Sequence, residues 1–314
     1  MSLSLASARV TVLGGANTDI VGHSAAPLVA FDSNPGEVRM SPGGVGRNIA
    51  ENLARLGVRT TLLTGFGSDA HGRELERACR AARIDTAPSL VCGDLAGSVY
   101  LAILDDEGDM ALAVSDMRPL DRLTPRVLQA RRGALESSDL VVADTNLPEE
   151  TLEWLAEATS VPIALDLVST TKAPRARTLL AKLAIVKGNG LEAAALLGQP
   201  DPETRSQIET LAHRLLESGA GTAFVTAGAL GSCYADATET GWMDAPQVDI
   251  ANATGAGDAF TAGVVAARLA DRPLAECARF GSHLAGVTLG SHSTVSEHVG
   301  AGALQEAIKE WEQQ

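Results

Sequence analysis

The stretch Asn252-Ala253-Thr254-Gly255-Ala256-Gly257-Asp258 holds the residue types that phosphoryl-group chemistry requires. It follows a strand-like run, Pro246 to Ala251, and opens into an apolar segment, Ala259 to Leu269, whose spacing predicts a buried helix. A glycine-rich turn at a helix N-terminus offers unpaired N–H groups and the positive end of the helix dipole, which suits an anion. Asp258 is out of place beside a bound phosphate unless it takes a proton from an attacking hydroxyl while Gly255, Ala256 and Gly257 hold the transferred charge. The plainer alternative is a tight turn with Asp258 as a first-turn helix carboxylate.

A second glycine cluster, Gly43-Gly44-Val45-Gly46-Arg47-Asn48, enters a helix marked by Ile49, Leu53 and Leu56 and stopped at Gly57. Gly43 and Gly44 let a ligand approach the backbone, and Arg47 and Asn48 stand in the adjoining first turn. Earlier, the strand Val10 to Leu13 runs into Gly14-Gly15-Ala16-Asn17-Thr18-Asp19. Strand-then-glycines also begins a dinucleotide fold, but the remaining glycine spacing is missing. Asn17 and Asp19 suit hydroxyl binding from a strand end, although the composition also fits an ordinary turn.

These motifs need a scaffold. Strands at 60–64, 140–143, 161–166, 183–187 and 222–226 alternate with helical stretches, the pattern of a doubly wound, mostly parallel sheet. Ser98 to Leu104 and Met110 to Val114 break the alternation as a hairpin across Asp105-Asp106-Glu107-Gly108-Asp109, a candidate lid. Several polar motifs follow the carboxyl ends of predicted strands, where open α/β sheets bind ligands.

The chain has 314 residues, 45% hydrophobic and 20% charged, enough for one large domain with a sizeable core. A formal net charge of −14 argues against nucleic-acid or anionic-membrane partners. Cys79, Cys92, Cys233 and Cys277 form no metal-type pair, and the six histidines show no ligand spacing. No apolar run reaches membrane-spanning length, and Met1 to Arg9 lacks the layout of a secretory signal, so a cytoplasmic setting is expected.

With these motifs in hand, the sequence resembles a ribokinase-like (PfkB) carbohydrate kinase over about Val10 to Glu310. The first family signature matches Gly43 to Asn48, and Gly67-Ser68-Asp69-Ala70-His71-Gly72 follows at the expected place. Asn189 and Glu192 match the family's Asn-x-x-Glu, Thr226, Gly228 and Gly231 its Thr-x-Gly-x-x-Gly, and Thr254 to Asp258 its second signature. The resemblance implies a three-layer αβα domain over 1–314, with a small β-sheet lid from parts of about 15–41 and 96–118. It implies Asp258 as catalytic base, and the N–H groups of Gly255, Ala256 and Gly257 as the anion hole. It implies ATP bound by Asn189, Thr226, Gly228, Gly231, Thr254, Gly255 and Gly257, with Gly281 to Gly286, Ser282 included, flanking the adenine. Mg²⁺ is organised, largely through water, by Asn189 and Glu192. Asp19, Gly43, Gly44 and Asn48 bind sugar hydroxyls, with Arg47 beside them. A homodimer through the lid is implied by analogy.

Within the family, the stretches Asp32 to Gly36, Ser41 to Ala50, Ser115 to Met117, Val141 to Asn146 and Asn252 to Thr254 resemble the pseudouridine kinase subgroup. That implies a nucleoside substrate phosphorylated at its 5′-hydroxyl, with Asn17, Asn34, Ser98, Tyr100 and Asp116 as candidates for reading the base. Asn252 replaces the family's usual Asp, which bears on any K⁺ site, and Gly188 replaces a frequent Pro. The alternatives are a ribokinase or another nucleoside kinase, and more distantly a binding module without catalysis.

Overall fold

The structure, a computed structural model, describes residues 5–312. The first four residues of the amino-terminal stretch considered above, and the last two of the chain, lie outside the described residues. In chain order the elements are β1 (Arg9–Leu13), β2 (Asn17–Ser24), β3 (Gly36–Gly43), α1 (Val45–Arg55), β4 (Arg59–Leu63), β5 (Gly65–Gly67), α2 (Ala70–Ala81), β6 (Leu90–Cys92), β7 (Val99–Leu104) and β8 (Met110–Asp116). Then come α3 (Pro125–Gln129), α4 (Arg132–Glu136), β9 (Leu140–Asp144), α5 (Glu149–Ala158), β10 (Ile163–Asp166), a 3-10 stretch (Ala173–Lys182), β11 (Ile185–Asn189), α6 (Gly190–Leu197) and α7 (Arg205–Glu217). The chain closes with β12 (Thr222–Thr226), β13 (Ser232–Asp236), β14 (Thr240–Met243), α8 (Ala256–Leu269), α9 (Leu274–Leu289) and α10 (Ala303–Glu312).

The main sheet has the order β14-β13-β12-β11-β10-β9-β1-β4. It is parallel from β4 to β12, with β13 and β14 added antiparallel at one edge. The middle strands are mostly apolar (Val-Thr-Val-Leu in β1, Leu-Val-Val-Ala in β9), as expected of strands covered on both faces. One apolar cluster lies under α1, α2, α8 and α9, with Ile49, Leu53, Val264 and Phe280. The other lies under α5, α6 and α7, with Leu152, Leu165, Val186 and Leu211. Helix–sheet–helix layering follows, as the doubly wound pattern predicts.

A separate four-stranded sheet has the order β3-β2-β7-β8. The hairpin expected across 105–109 is present as β7 and β8, closed by the Asp105 N–H donating to the Asp109 carbonyl (2.9 Å). Strand β3 continues to Gly43, so the first glycine signature begins in this small sheet and ends in α1. The strand expected at Pro246 to Ala251 does not form. Pro246 has no N–H for a ladder, Val248 and Ile250 are exposed, and the Ala251 N–H donates instead to the Leu289 carbonyl at the end of α9. Among the described residues no helix is long and apolar enough to cross a membrane. All four cysteines are free and buried.

Candidate active site

Gly255 begins α8 in the left-handed region (φ 87°), and a side chain there would collide with the Thr294 carbonyl. No side chain caps this helix, so its first-turn N–H groups have neither an intrahelical nor a side-chain acceptor. Asp258 sits in that first turn, half-buried, and accepts a hydrogen bond from Asn48 Nδ2 (2.8 Å). Burial, then the neighbouring charge of Asp166, pushes its carboxyl up to about 7; the Asn48 bond and Lys187 oppose that rise. The site therefore has uncovered donors for an anion and a carboxylate whose affinity for a proton suits a general base near neutral pH.

On the other side of Asp258 lies the first glycine cluster. Gly44 caps α1 at φ 97°, against the Gly15 carbonyl, and a side chain at Gly43 would strike the Asp19 carboxylate. Asn17 Nδ2 donates to Asp19 Oδ1 (2.6 Å), and burial raises the Asp19 pKa against that bond and the Arg47 charge. Register places Asp19 opposite Ser41 and Tyr100, and Tyr100 opposite Ser115, so all four share one polar face of the small sheet. Ser98, next to β7, is buried and its hydroxyl has no partner.

Three residues expected at the substrate are engaged with other groups of the chain. Arg47 is buried, and its guanidinium is turned inward onto Glu51, the Pro42 carbonyl and Asn48 Oδ1. Asp116 is opposite Val99, on the other face of the sheet from Tyr100, and pairs with Arg118 (2.7 Å), which holds its carboxyl below the usual range. Asn34 spends its amide on its own loop, with Val29 and Asp32.

Beyond α8, the β12–β13 turn and the start of α6 line a cleft of about 370 Å³ with Asn189, Thr226, Gly228 and Leu230. Gly228 and Gly231 have φ of 56° and 113°, conformations that glycine alone takes readily. Asn189 and Glu192 form a reciprocal cap of α6: Oδ1 accepts from the Glu192 N–H, and Glu192 accepts from the Asn189 backbone (2.8 Å) and amide (2.9 Å). Thr254 is exposed, its N–H held by Asn252 Oδ1 (2.9 Å). Ser282 lies on α9 with its hydroxyl 3.5 Å from the Asp244 carbonyl. The glycines around it do not flank an open cleft. Gly281 is packed on Gly263 and Phe260 of α8, and Gly286 is covered by Pro246 and Val248.

The description "pfkB family carbohydrate kinase" fits residues 7–298 of the chain. The chain belongs to the pfkB family of carbohydrate kinases. This kinase is 34% identical to pseudouridine kinase of Escherichia coli over 287 residues, 91% of each protein. It is 28% identical to guanosine-inosine kinase of Exiguobacterium acetylicum, over 90% of this chain and 95% of the other. Among solved structures, Arabidopsis thaliana ribokinase complexed with ribose and ATP superposes with a TM-score of 0.84 at 21% identity, covering 96% of this chain and 99% of the other. The fold is thus ribokinase-like, and the enzyme is an ATP-dependent phosphotransferase acting on a hydroxyl of a sugar or nucleoside.

Four buried groups of this kinase were given no role by the motifs, although Asp144 lies within the stretch Val141 to Asn146. Lys187 Nζ pairs with Asp166 Oδ2 (3.1 Å), which also accepts from Thr261 in α8 (2.7 Å). The Lys187 ammonium is 3.0 Å from where a side chain at Gly257 would begin, so an added side chain there would crowd it. Asp144 is fully buried, accepts from the Gly15 N–H (2.8 Å), and is pushed by burial up to about 6. A side chain at Gly14 would meet that carboxylate, so the Gly14-Gly15 pair serves Asp144 and not a dinucleotide. The available signal was position: Asp144 and Asp166 each end a parallel strand. For a divalent cation, no cluster of three acidic, His or Cys ligands exists among the described residues, and both Glu192 oxygens already accept from Asn189. That donor set fits a metal held mainly by phosphates and water, not by a protein cage.

Proposed function

We propose that this kinase transfers the γ-phosphoryl group of ATP to the 5′-hydroxyl of pseudouridine. The observation that carries the mechanism is the half-buried Asp258 carboxylate, pushed up to about 7, in the first turn of an uncapped helix and held by Asn48. Asp258 takes the hydroxyl proton as the new O–P bond forms and the β–γ bridging P–O bond breaks, leaving ADP. The N–H groups of Gly255, Ala256 and Gly257 hold the charge on the transferred group. Mg²⁺, bound to the ATP phosphates and organised through water by Asn189 and Glu192, would supply further charge neutralisation. Thr226 and Gly228, which line the cleft beside α6, contact the nucleotide, together with Gly231, Thr254 and Ser282.

Asp19, Gly43, Gly44 and Asn48 bind the ribose. The 34% identity to a pseudouridine kinase favours the C-nucleoside, and Asn17, Ser98 and Tyr100 are left as base readers once Asn34 and Asp116 are engaged elsewhere. The small sheet, parts of 15–41 and 96–118, acts as a lid. Its outer face carries exposed Val38, Met40, Leu101, Leu112 and Val114, which favours pairing with a second lid in a homodimer in the cytoplasm.

The test is ATP consumption with Mg²⁺, with and without KCl, on pseudouridine, uridine, adenosine, guanosine, ribose and fructose. Strong preference for pseudouridine over uridine is expected. Preference for guanosine or ribose would keep the phosphotransfer chemistry and overturn the substrate.

A further inference from the structure

We propose that Arg47 is a positioning residue: it fixes which end of the Asn48 amide faces Asp258, and ties that choice to the end of strand β3. An asparagine amide is nearly symmetric in shape, but its two ends differ in charge. The NH₂ end attracts a carboxylate and the oxygen end repels it. Asn48 Nδ2 faces Asp258 Oδ2 at 2.8 Å, while Asn48 Oδ1 accepts from Arg47 NH1, also at 2.8 Å. A guanidinium only donates, so a reversed amide would set NH₂ against the Arg47 fork and oxygen against Asp258, losing both bonds at once.

Arg47 is itself held from several sides. Its NH1 also donates to the Pro42 carbonyl of β3 (3.0 Å), and its NH2 meets the Glu51 carboxylate one turn along α1. The other Glu51 oxygen takes Arg55 Nε (2.9 Å) and NH2 (2.8 Å). The backbone is pinned too, by the Arg47 N–H donating to the Gly15 carbonyl (3.0 Å) and by Asn52 Nδ2 donating to the Asn48 carbonyl (3.0 Å). Arg47 and Glu51 are both buried. A planar fork spans Pro42, Asn48 and Glu51 together, whereas a lysine ammonium presents its donors from one point and cannot. Since β3 belongs to the small sheet, movement of that sheet relative to α1 would be felt at Asn48 through one side chain.

The inference rests on Asp258 being the base, and Asp258→Asn tests that separately. The experiment is a double-mutant cycle on steady-state kinetics with Arg47→Lys, Asn48→Ala and the pair. Arg47→Lys is expected to lower kcat at least about tenfold, to leave KM for ATP within about twofold, and to move the acid limb of the kcat–pH profile upward. The last follows because a carboxylate that loses a donor holds its proton more tightly. In the Asn48→Ala background the same lysine substitution is expected to lower kcat no further. Losses that multiply, or an acid limb that stays in place in Arg47→Lys, would overturn the proposal. A purely structural arginine would give those outcomes. Should Arg47→Lys fail to fold by circular dichroism, Glu51→Gln, which weakens the anchor of the fork, is read the same way in both backgrounds. If Asp258→Asn turns over normally the base is wrong; if it is dead and the cycle multiplies, only the Arg47 inference fails.

Discussion

Asn48 and Asp258, separated by 210 positions, meet in a 2.8 Å hydrogen bond between the first turns of two helices. The bond joins the first glycine cluster to the proposed anion hole and so links the two signatures directly. It also lowers the proton affinity of Asp258 against the rise that burial causes. Asn48→Ala is therefore expected to lower kcat/KM for the nucleoside by about tenfold or more, since a hydrogen bond to a charged group contributes about 1.5–3 kcal/mol. Steady-state kinetics at fixed ATP reads this directly, and an unchanged kcat/KM would remove Asn48 from the site.

The pH profile carries its own expectation. A base pushed up to about 7 is protonated in acid, so kcat/KM should climb with pH through about 7 and level off above it. An acid limb near 4 would mean that Asp258 titrates as an ordinary carboxylate, or that another group limits the rate.

The same shift predicts a stability effect opposite in sign to the catalytic one. The folded Asp258 pKa lies above the unfolded value near 3.8, so between about 4 and 7 the native state binds more protons than the unfolded one. Stability contributed by this group is present in acid and declines as pH rises through about 7. Asp258→Asn should thus raise Tm at pH 8 by about 2 °C or more and give no gain at pH 4, while turnover falls by at least about a thousandfold. Thermal melts at the two pH values test the first part, and equal shifts at both would refute it.

Gly255→Ala should damage both fold and activity. Its φ of 87° and the Thr294 carbonyl leave no place for a methyl group. Strain of about 1–3 kcal/mol and a misplaced helix N-terminus are expected, read as a lower Tm and a loss of kcat exceeding the effect on KM for ATP.

The outer face of the small sheet gives the last prediction. Glu in place of both Met40 and Val114, which are exposed at 54% and 56%, should turn a dimer into a monomer in light scattering. A wild-type protein already monomeric would end the proposed homodimer.

Much of the scaffold was legible because its signals are local. Val10 to Leu13 and Leu140 to Ala143 read as strands from their mostly apolar runs, and they form within β1 and β9. Pro246 to Ala251 misled for the same reason: strand-like composition says nothing about whether a segment will pair, and this one joins no sheet.

By itself the sequence placed the glycines and singled out Asp258 as the proposed base, because left-handed turns restrict residue type locally. Gly44, Gly255 and Asp258 could be named from their neighbours alone. Only the tertiary structure decided where long or paired side chains point. Arg47 follows three glycines as a ligand would, yet Glu51 and the Pro42 carbonyl draw it inward. Asp116 falls on the outer face because a strand alternates and its register was not known in advance. Asp166, Lys187 and Thr261 come from β10, β11 and α8, and their meeting is a product of sheet order, which no local pattern encodes.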